Sequence, residues 1–245
     1  WNDIEKVYPY IINSKNIGKK LLAVLIDPEK DNTLDMLCPY LSEVDIVLVG
    51  GSTGECTEEC ISRLRSYTAS PIVLFPGNIA QFTPMADALL FLSLLTARSA
   101  AMLIEPHIQI ASAVQKSGIE SIPMGYILID GGRKSSVEIT SHSTPLSRED
   151  NDLIVRTALA GQLLGKQLIY LEAGSGAAIP VPTDIIRAVR NHLQIPLIVG
   201  GGITTPENMI LAFEAGADMV VIGNHFEHHP EDLSNFIRIK REKYE

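Results

Sequence analysis

The stretch "IVGGGITTPENMILAFEAGADMVVIGN", residues 198–224, places three glycines directly after one apolar run and a Gly-Asn pair directly after the next. A helical pattern lies between the runs: Pro206 follows Thr205 at its start and Gly216 ends it, the positions that proline and glycine favour in helices. Glycine weakens the interiors of strands and helices, so its clustering here indicates sharp turns or a close backbone approach to another group. The stretch therefore predicts a strand, a glycine loop, a helix and a second strand with its own glycine loop.

The same alternation of short apolar runs and helical patterns covers the rest of the chain. Most of the runs are continuously apolar, which is typical of strands buried on both faces of a parallel sheet. Eight such units in 245 residues match a (β/α)8 TIM barrel, whose usual size is about 250 residues. A doubly wound sheet is the alternative, but the G-x-G-x-x-G fingerprint of that fold is missing after the first strand.

We therefore predict an α/β chain that forms a single TIM-barrel domain over residues 1–245, with the third outer helix reduced or missing because residues 76–87 are short and broken by proline. Ser147 with Asp150 is expected to cap one helix, and Gly118 to end another. The predicted strands cover residues 21–26, 45–49, 71–75, 88–94, 122–129, 168–171, 196–199 and 218–222. The predicted helices cover residues 33–41, 57–67, 97–116, 147–164, 183–192, 206–215 and 230–241.

Charge and composition limit the possible partners. A net charge of -9 argues against nucleic acid, whose phosphate backbone requires clustered Lys and Arg. The most apolar run, residues 88–97, is too short to cross a bilayer, and the N-terminal residues contain no hydrophobic signal core. Three cysteines, Cys38, Cys56 and Cys60, form no CxxC motif and predict reduced thiols and a cytoplasmic location.

The residues that follow the strands are the candidates for a site, because a TIM barrel builds its active site at the carboxyl ends of its strands. Glycine clusters follow the sixth, seventh and eighth strands, where backbone N–H groups commonly hold a phosphate and a Cβ would obstruct it. Tight turns also use glycine, but three clusters together favour a phosphate site. The clustered glycines are Gly174, Gly176, Gly200, Gly201, Gly202 and Gly223.

Carboxylates and a tyrosine join these glycines at the strand ends. Asp27 follows the first strand and, with Ser52 or Thr53, could supply oxygen ligands to Mg²⁺; a helix N-cap is an equally good interpretation of Asp27. Glu172 follows the sixth strand, where it could orient a substrate hydroxyl or accept its proton, or form a solvated charge or an ion pair. Tyr170 points to the same side as Glu172, either toward a ligand or into the barrel core.

Seven segments occur in an order that resembles the geranylgeranylglyceryl phosphate synthase family, which includes the bacterial heptaprenylglyceryl phosphate synthases. The similarity runs from about residue 21 to residue 224. The segments are LIDPEK (25–30), VGGST (49–53), LFPGN (74–78), FLSLL (91–95), YLEAGSGA (170–177), IVGGGI (198–203) and VIGN (221–224).

The resemblance implies a Mg²⁺-dependent prenyltransferase that joins a polyprenyl diphosphate to the sn-3 hydroxyl of sn-glycerol 1-phosphate and releases diphosphate. It implies Mg²⁺ bound by Asp27 and Ser52. The chemistry of the residues adds that Mg²⁺ on Asp27 would compensate the diphosphate charge and that Glu172 would help remove the hydroxyl proton. We therefore predict Glu172, Asp27 and Tyr170 as the catalytic residues. The glycerol phosphate would be held by Tyr170, Leu171, Glu172, Ala173, Gly174, Ser175, Gly176, Gly201, Gly202, Gly223 and Asn224.

The chain departs from the family pattern at one position near the phosphates. Many members carry a lysine two residues before the first-strand aspartate, where this chain has Leu25; Lys30, Arg133 and Lys134 are candidates to replace it. The segment 131–146 resembles an insertion and could form a rim loop near the diphosphate.

Other functions are compatible with a phosphate site in a barrel. They include an isomerase or synthase that acts on a phosphorylated sugar or indole precursor, a non-catalytic sensor of a phosphorylated ligand, and a flavin enzyme. The triad His225, His228 and His229 could suggest a metal site, but its spacing favours a surface turn. Barrels of this size commonly self-associate, so a homo-oligomer is expected. Residues 88–104 could supply an interface, but packing of the fourth helix on its own barrel is the better interpretation for most of them.

Overall fold

A computed structural model describes residues 6–30, 34–51 and 58–245. Its eight strands are all parallel and close into a barrel in chain order, with the eighth strand pairing with the first. The predicted TIM barrel is therefore confirmed. The strands are β1 Leu21–Ile26, β2 Ile46–Val49, β3 Ile72–Leu74, β4 Ala88–Leu94, β5 Glu120–Leu128, β6 Leu168–Glu172, β7 Leu197–Gly200 and β8 Met219–Ile222.

Helices surround the barrel and connect its strands. They are α1 Val7–Asn16, α2 Leu34–Leu37, α3 Glu58–Arg65, α4 Ala100–Leu103, α5 Glu105–Ser117, α6 Ser136–Ser141, α7 Asn151–Leu163, α8 Thr183–Arg190, α9 Pro206–Ala215, α10 Asn224–His228 and α11 Leu233–Tyr244. Between β3 and β4 the chain forms only a 3₁₀ turn at Ile79–Gln81, so the predicted reduction of the third outer helix is confirmed. Three-residue turns of this kind cannot cover a strand pair as a full helix does.

Several predicted helix ends are confirmed and others are corrected. Thr205 caps α9 by accepting the Asn208 amide, and Gly118 and Gly216 end α5 and α9 in the left-handed conformation. The cap of α7 is Asp150, which accepts the Leu153 amide, so the predicted start of this helix at residue 147 was wrong.

Prolines divide two of the predicted helices. The helix predicted over residues 97–116 is interrupted at Ile104 before Pro106, because the proline has no backbone N–H to continue the hydrogen-bond ladder. The helix predicted over residues 33–41 is α2 followed by a 3₁₀ turn that begins at Cys38, next to Pro39. Thr33, Thr57 and Cys56 lie outside the described residues, and Cys38 and Cys60 are buried.

The apolar core has two layers that follow from the alternation of side chains along each strand. One layer fills the barrel interior and includes Ala23, Leu48, Met124 and Ile198, whereas the other lies between the strands and the outer helices. Within the described residues no helix is long and apolar enough to cross a membrane.

Helix α1, which the sequence pattern did not predict, closes the end of the barrel where the strands begin. Val7 and Ile11 are buried against the inner layer. The Glu120 carboxylate at the start of β5 accepts the amides of Val7 and Tyr8 at 2.6 and 3.2 Å, which satisfies two N–H groups that the first turn of a helix leaves unpaired. With that end closed, a ligand enters the barrel from the carboxyl ends of the strands.

Candidate active site

A cavity of about 510 Å³ opens at the carboxyl ends of the strands. Its lining comes from the ends of the strands and from the loops and helices that follow them, and it has a polar part and an apolar part. The polar part includes Asp27, Lys30, Glu172, Gly174, Ser175, Gly176, Gly201, Gly202, Gly223, Asn224 and Glu227. The apolar part includes Phe75, Ile79, Leu92, Met102, Pro106, Ile110 and Val137.

Glu172 lies at the floor of the polar part and is only 6% exposed. Burial raises the pKa of its carboxyl to about 7, although the hydrogen bonds from the Tyr170 hydroxyl and the Gly174 amide favour the charged form and oppose that rise. The Gly174 amide donates to Oε1 at 2.7 Å. A carboxyl with this pKa exchanges a proton readily near neutral pH, which is the property of a general base or acid.

Tyr170 belongs to a group of three aromatic rings beneath Glu172. Its ring centroid lies 5.2 Å from that of Tyr126 and 5.6 Å from that of Phe75. Burial raises the pKa values of both tyrosines well above the usual value for a phenol. Both hydroxyls therefore stay protonated and can donate hydrogen bonds.

The glycine triplet after β7 has a structural cause in addition to any role in binding. A Cβ at Gly200 would overlap the Tyr170 hydroxyl, and a Cβ at Gly201 would overlap the Glu172 carboxylate. Gly201 and Gly202 also have positive φ angles of 81° and 69°, which side-chain residues adopt at a cost. The triplet thus makes room for the two polar side chains and brings the loop backbone into the cavity lining.

Asp27 extends from the end of β1 toward the cavity. Its Oδ1 accepts the Glu29 amide at 3.1 Å, which is the local turn that an N-cap aspartate makes. An added Cβ at Gly51 would lie 2.7 Å from the same oxygen, so the second-strand loop passes directly beside the carboxylate. Ser52, the second predicted Mg²⁺ ligand, lies outside the described residues.

Asp27 has the chemistry of a magnesium ligand. The described residues contain no cluster of three or more His, Cys, Asp or Glu side chains able to hold a metal, and Mg²⁺ typically uses one or two carboxylates together with substrate phosphates and waters. Asp27 is a hard oxygen donor at the cavity edge. The carboxylate is therefore suited to such an ion.

Lys30 joins the loop after β1 to α10. Its Nζ lies 2.8 Å from Glu227 Oε2 and 3.7 Å from Asp27 Oδ2. Asn224 also donates to the Glu227 carboxylate, at 3.3 Å. Burial lowers the pKa of the Lys30 ammonium, but the hydrogen bond and charge of Glu227 outweigh burial and leave the pKa raised, so the lysine is a cation.

The apolar part occupies the space beside β3 and β4 that a third outer helix would cover. Helix α5 borders it, and the His107 ring on this helix lies with Nε2 2.6 Å from the Leu92 carbonyl oxygen and Nδ1 3.0 Å from that of Leu103. The ring also packs on Phe91, with the centroids 4.5 Å apart. These contacts fix α5 against β4 and so define one wall of an apolar groove.

Helix α6 forms the opposite wall and lies within the segment that resembles an insertion. Ser135 caps it by accepting the Glu138 amide, and Val137 and Thr140 line the cavity. Leu146 then returns the chain beside Ile129. The segment is therefore a built part of the cavity, which its polar sequence did not reveal.

The structure gathers most of the predicted site residues in one place. Leu171 and Ala173 are the exceptions, because both side chains point into the layer between strands and helices and neither residue lines the cavity. Arg133 and Lys134 are exposed and also lie outside the lining. His225 is bonded to Asp232, and its neighbours His228 and His229 form no metal site with it among the described residues.

The closed parallel barrel and the cavity at the carboxyl ends of its strands define the protein as a TIM barrel with its ligand site at that rim. Comparison with known sequences then assigns the family. Residues 15–240 match the PcrB family, and the chain belongs to it.

Named relatives and solved structures agree with this assignment. The chain is 46% identical to a geranylgeranylglyceryl phosphate synthase of Zunongwangia profunda, over 91% of this chain and 97% of that protein. It is 36% identical to a protein of the same name from Korarchaeum cryptofilum, over 91% and 93%. The crystal structure of the (S)-3-O-geranylgeranylglyceryl phosphate synthase from Thermoplasma acidophilum, in complex with its substrate sn-glycerol-1-phosphate, superposes with a TM-score of 0.87 at 31% identity, covering 98% of this chain and 100% of that one.

Proposed function

We propose that the protein transfers a prenyl group from a polyprenyl diphosphate to the sn-3 hydroxyl of sn-glycerol 1-phosphate, forming an ether and releasing diphosphate. The observation that carries the proposal is that one cavity joins a glycine-rich polar part to an apolar groove. A phosphorylated triol fits the first part and a hydrocarbon tail fits the second. An enzyme acting on a phosphorylated sugar has no need of the groove.

In this proposal the glycine loops after β6, β7 and β8 hold the glycerol phosphate. Ser175, Gly176, Gly202 and Asn224 line the cavity there. The amides of Asn224 and His225 precede the first hydrogen bond of α10, which the Phe226 amide donates to the Gly223 carbonyl. Backbone N–H groups at such a position favour an anion. The phosphate is thereby anchored in the polar part of the cavity.

Glu172 then acts on the sn-3 hydroxyl. A new carbon–oxygen bond forms between that hydroxyl oxygen and the first prenyl carbon, the bond from that carbon to the diphosphate oxygen breaks with its electron pair leaving on diphosphate, and Glu172 takes the hydroxyl proton. The Tyr170 hydroxyl donates to the carboxylate and fixes its orientation. The apolar walls exclude water that would otherwise compete for the prenyl carbon.

Asp27, together with Ser52, is proposed to hold Mg²⁺. When bound, the ion would compensate the charge of the leaving diphosphate. A cytoplasmic location and a homo-oligomeric state are further parts of the proposal, and the exposed side chains of Ile104 and Ile108 at the start of α5 support self-association.

The test is incubation of the purified protein with Mg²⁺, labelled sn-glycerol 1-phosphate and geranylgeranyl diphosphate. We expect the label to enter an organic-soluble ether, with sn-glycerol 3-phosphate giving little product and Asp27→Asn losing most of the activity. Binding of the phosphate ester without transfer to prenyl diphosphates of any length would contradict the proposal and favour a sensor or an isomerase.

A further inference from the structure

The cavity contains an imbalance of charge. Its lining includes three carboxylates, Asp27, Glu172 and Glu227, but among the Lys and Arg residues only Lys30. The segments that the structure does not describe, residues 1–5, 31–33 and 52–57, contain no Lys or Arg. All 20 basic residues are thus described, and a single one borders the cavity.

The substrates of the proposed reaction add more negative charge to this place. They bring a phosphate monoester and a diphosphate, whose oxygens are stabilised by charge-assisted hydrogen bonds from cationic side chains. A magnesium ion at Asp27 would compensate part of that charge. Backbone amides supply dipoles but no net charge, so Lys30 is the remaining Lys or Arg side chain at the cavity that can supply positive charge.

The position of Lys30 suits this task. Its Nζ lies between Asp27, at the proposed diphosphate side, and Glu227, which also accepts a hydrogen bond from Asn224 on the glycerol phosphate side. The side chain is 50% exposed, so a ligand can reach it. An ammonium has three N–H donors, and the bond to Glu227 occupies one of them.

We propose that Lys30 is a phosphate ligand of this active site, held by Glu227 so that its free N–H groups face the substrate phosphates. The proposal rests on the proposed function for the identity of the anions. Lys30 lies in the turn three residues after Asp27. Leu25, at the position where many family members carry a lysine, lies inside β1 and points into the barrel. The positive charge therefore comes from the loop and not from the strand.

Binding measurements test the proposal without requiring turnover. Wild type, Lys30→Met, Lys30→Arg and a control, Lys116→Met, would be titrated calorimetrically with sn-glycerol 1-phosphate and with inorganic diphosphate, with and without Mg²⁺. Lys116 is an exposed lysine in the last turn of α5 and does not line the cavity. Circular dichroism and Tm values would establish that each variant is folded.

We expect Lys30→Met to weaken binding of at least one of the two anions by roughly ten- to hundredfold, the loss typical of one charge-assisted hydrogen bond. Lys30→Arg should restore part of the affinity, and Lys116→Met should match wild type. Which of the two anions is affected identifies the phosphate that the lysine contacts.

A folded Lys30→Met variant that binds both anions as tightly as wild type would overturn the proposal. A different result would contradict the proposed function. If wild-type protein binds both anions but forms no prenyl ether, the transfer reaction is excluded, while the binding result for Lys30 still stands.

Discussion

Glu172 shows how one buried residue sets both activity and stability. Its folded-state pKa of about 7 lies above the ordinary value, so the folded protein binds a proton more tightly than the unfolded chain. Stability therefore falls as the pH rises from about 4.5 to about 7 and the carboxylate is charged inside the protein. Above pH 7 the free energy of unfolding is lower than at pH 4.5 by on the order of 3 kcal/mol from this group.

We accordingly expect Glu172→Gln to be more stable than wild type at pH 8 and to lose this advantage at pH 4.5. The same variant should lower kcat about 10²- to 10⁴-fold, since the proton acceptor is gone. Thermal unfolding of both proteins across this pH range measures the first effect. A Tm difference that does not change with pH would disprove the raised pKa.

The sequence was more informative about where individual residues lie than about why those residues are present. Strand periodicity placed Tyr170 and Glu172 on one side of β6, and the structure confirms it, because both line the cavity. The reason for Gly200 and Gly201 was not visible in the sequence. They make room for side chains that are about thirty residues away in the chain, and such contacts exist only after the barrel closes.

At the scale of elements, the wall that α5 provides should control the prenyl chain. Ile110 on α5 is 9% exposed and lines the groove, whereas Ile108 on the same helix is 62% exposed. Ile110→Trp should fill groove volume and raise KM for geranylgeranyl diphosphate about tenfold or more, while KM for sn-glycerol 1-phosphate stays near wild type. Gln115→Trp, at an exposed position of the same helix that lies outside the cavity lining and apart from Ile104 and Ile108, is the matched control and should change neither value. Equal effects of the two substitutions would show that the tail does not run along α5.

The sequence located most elements, but its patterns missed three helices near the barrel ends, α1, α6 and α10. In α1 the apolar run is interrupted by Pro9 and followed by polar residues, and the short α6 lies in a segment rich in Ser and Thr. Their positions depend on tertiary contacts, such as Glu120 with the first turn of α1, that local propensity does not encode. The break at Ile104 could have been predicted, because Pro106 has no backbone N–H to continue the hydrogen-bond ladder of the preceding turn.

The two ends of the barrel have separate roles: one contains the cavity, and the other contains charges that stabilise the fold. The end opposite the cavity contains a buried charge network centred on Asp45, which bonds to the Leu22 amide, to Lys240 at 2.8 Å and to Lys19 at 3.0 Å. Burial alone would raise the pKa of Asp45, but the nearby Lys240 outweighs burial and leaves the pKa lowered. The stability that the carboxylate contributes is present above the ordinary pKa of an aspartate and is lost as the pH falls through the lowered value.

This separation predicts a variant that loses stability without losing activity. Lys240→Met leaves Asp45 with one ammonium in place of two in a buried site, which should cost about 3 kcal/mol of unfolding free energy. The kcat and KM of the folded fraction should stay at wild-type values, since the network lies at the barrel end away from the cavity. Denaturant unfolding measures the stability, and steady-state assays on the same preparations measure kcat and KM. The control is Lys243→Met, because Lys243 lies on the same helix as Lys240 but is exposed and pairs with Glu214 of α9. A comparable loss of kcat in folded Lys240→Met would show that the two ends of the barrel are energetically coupled through its core.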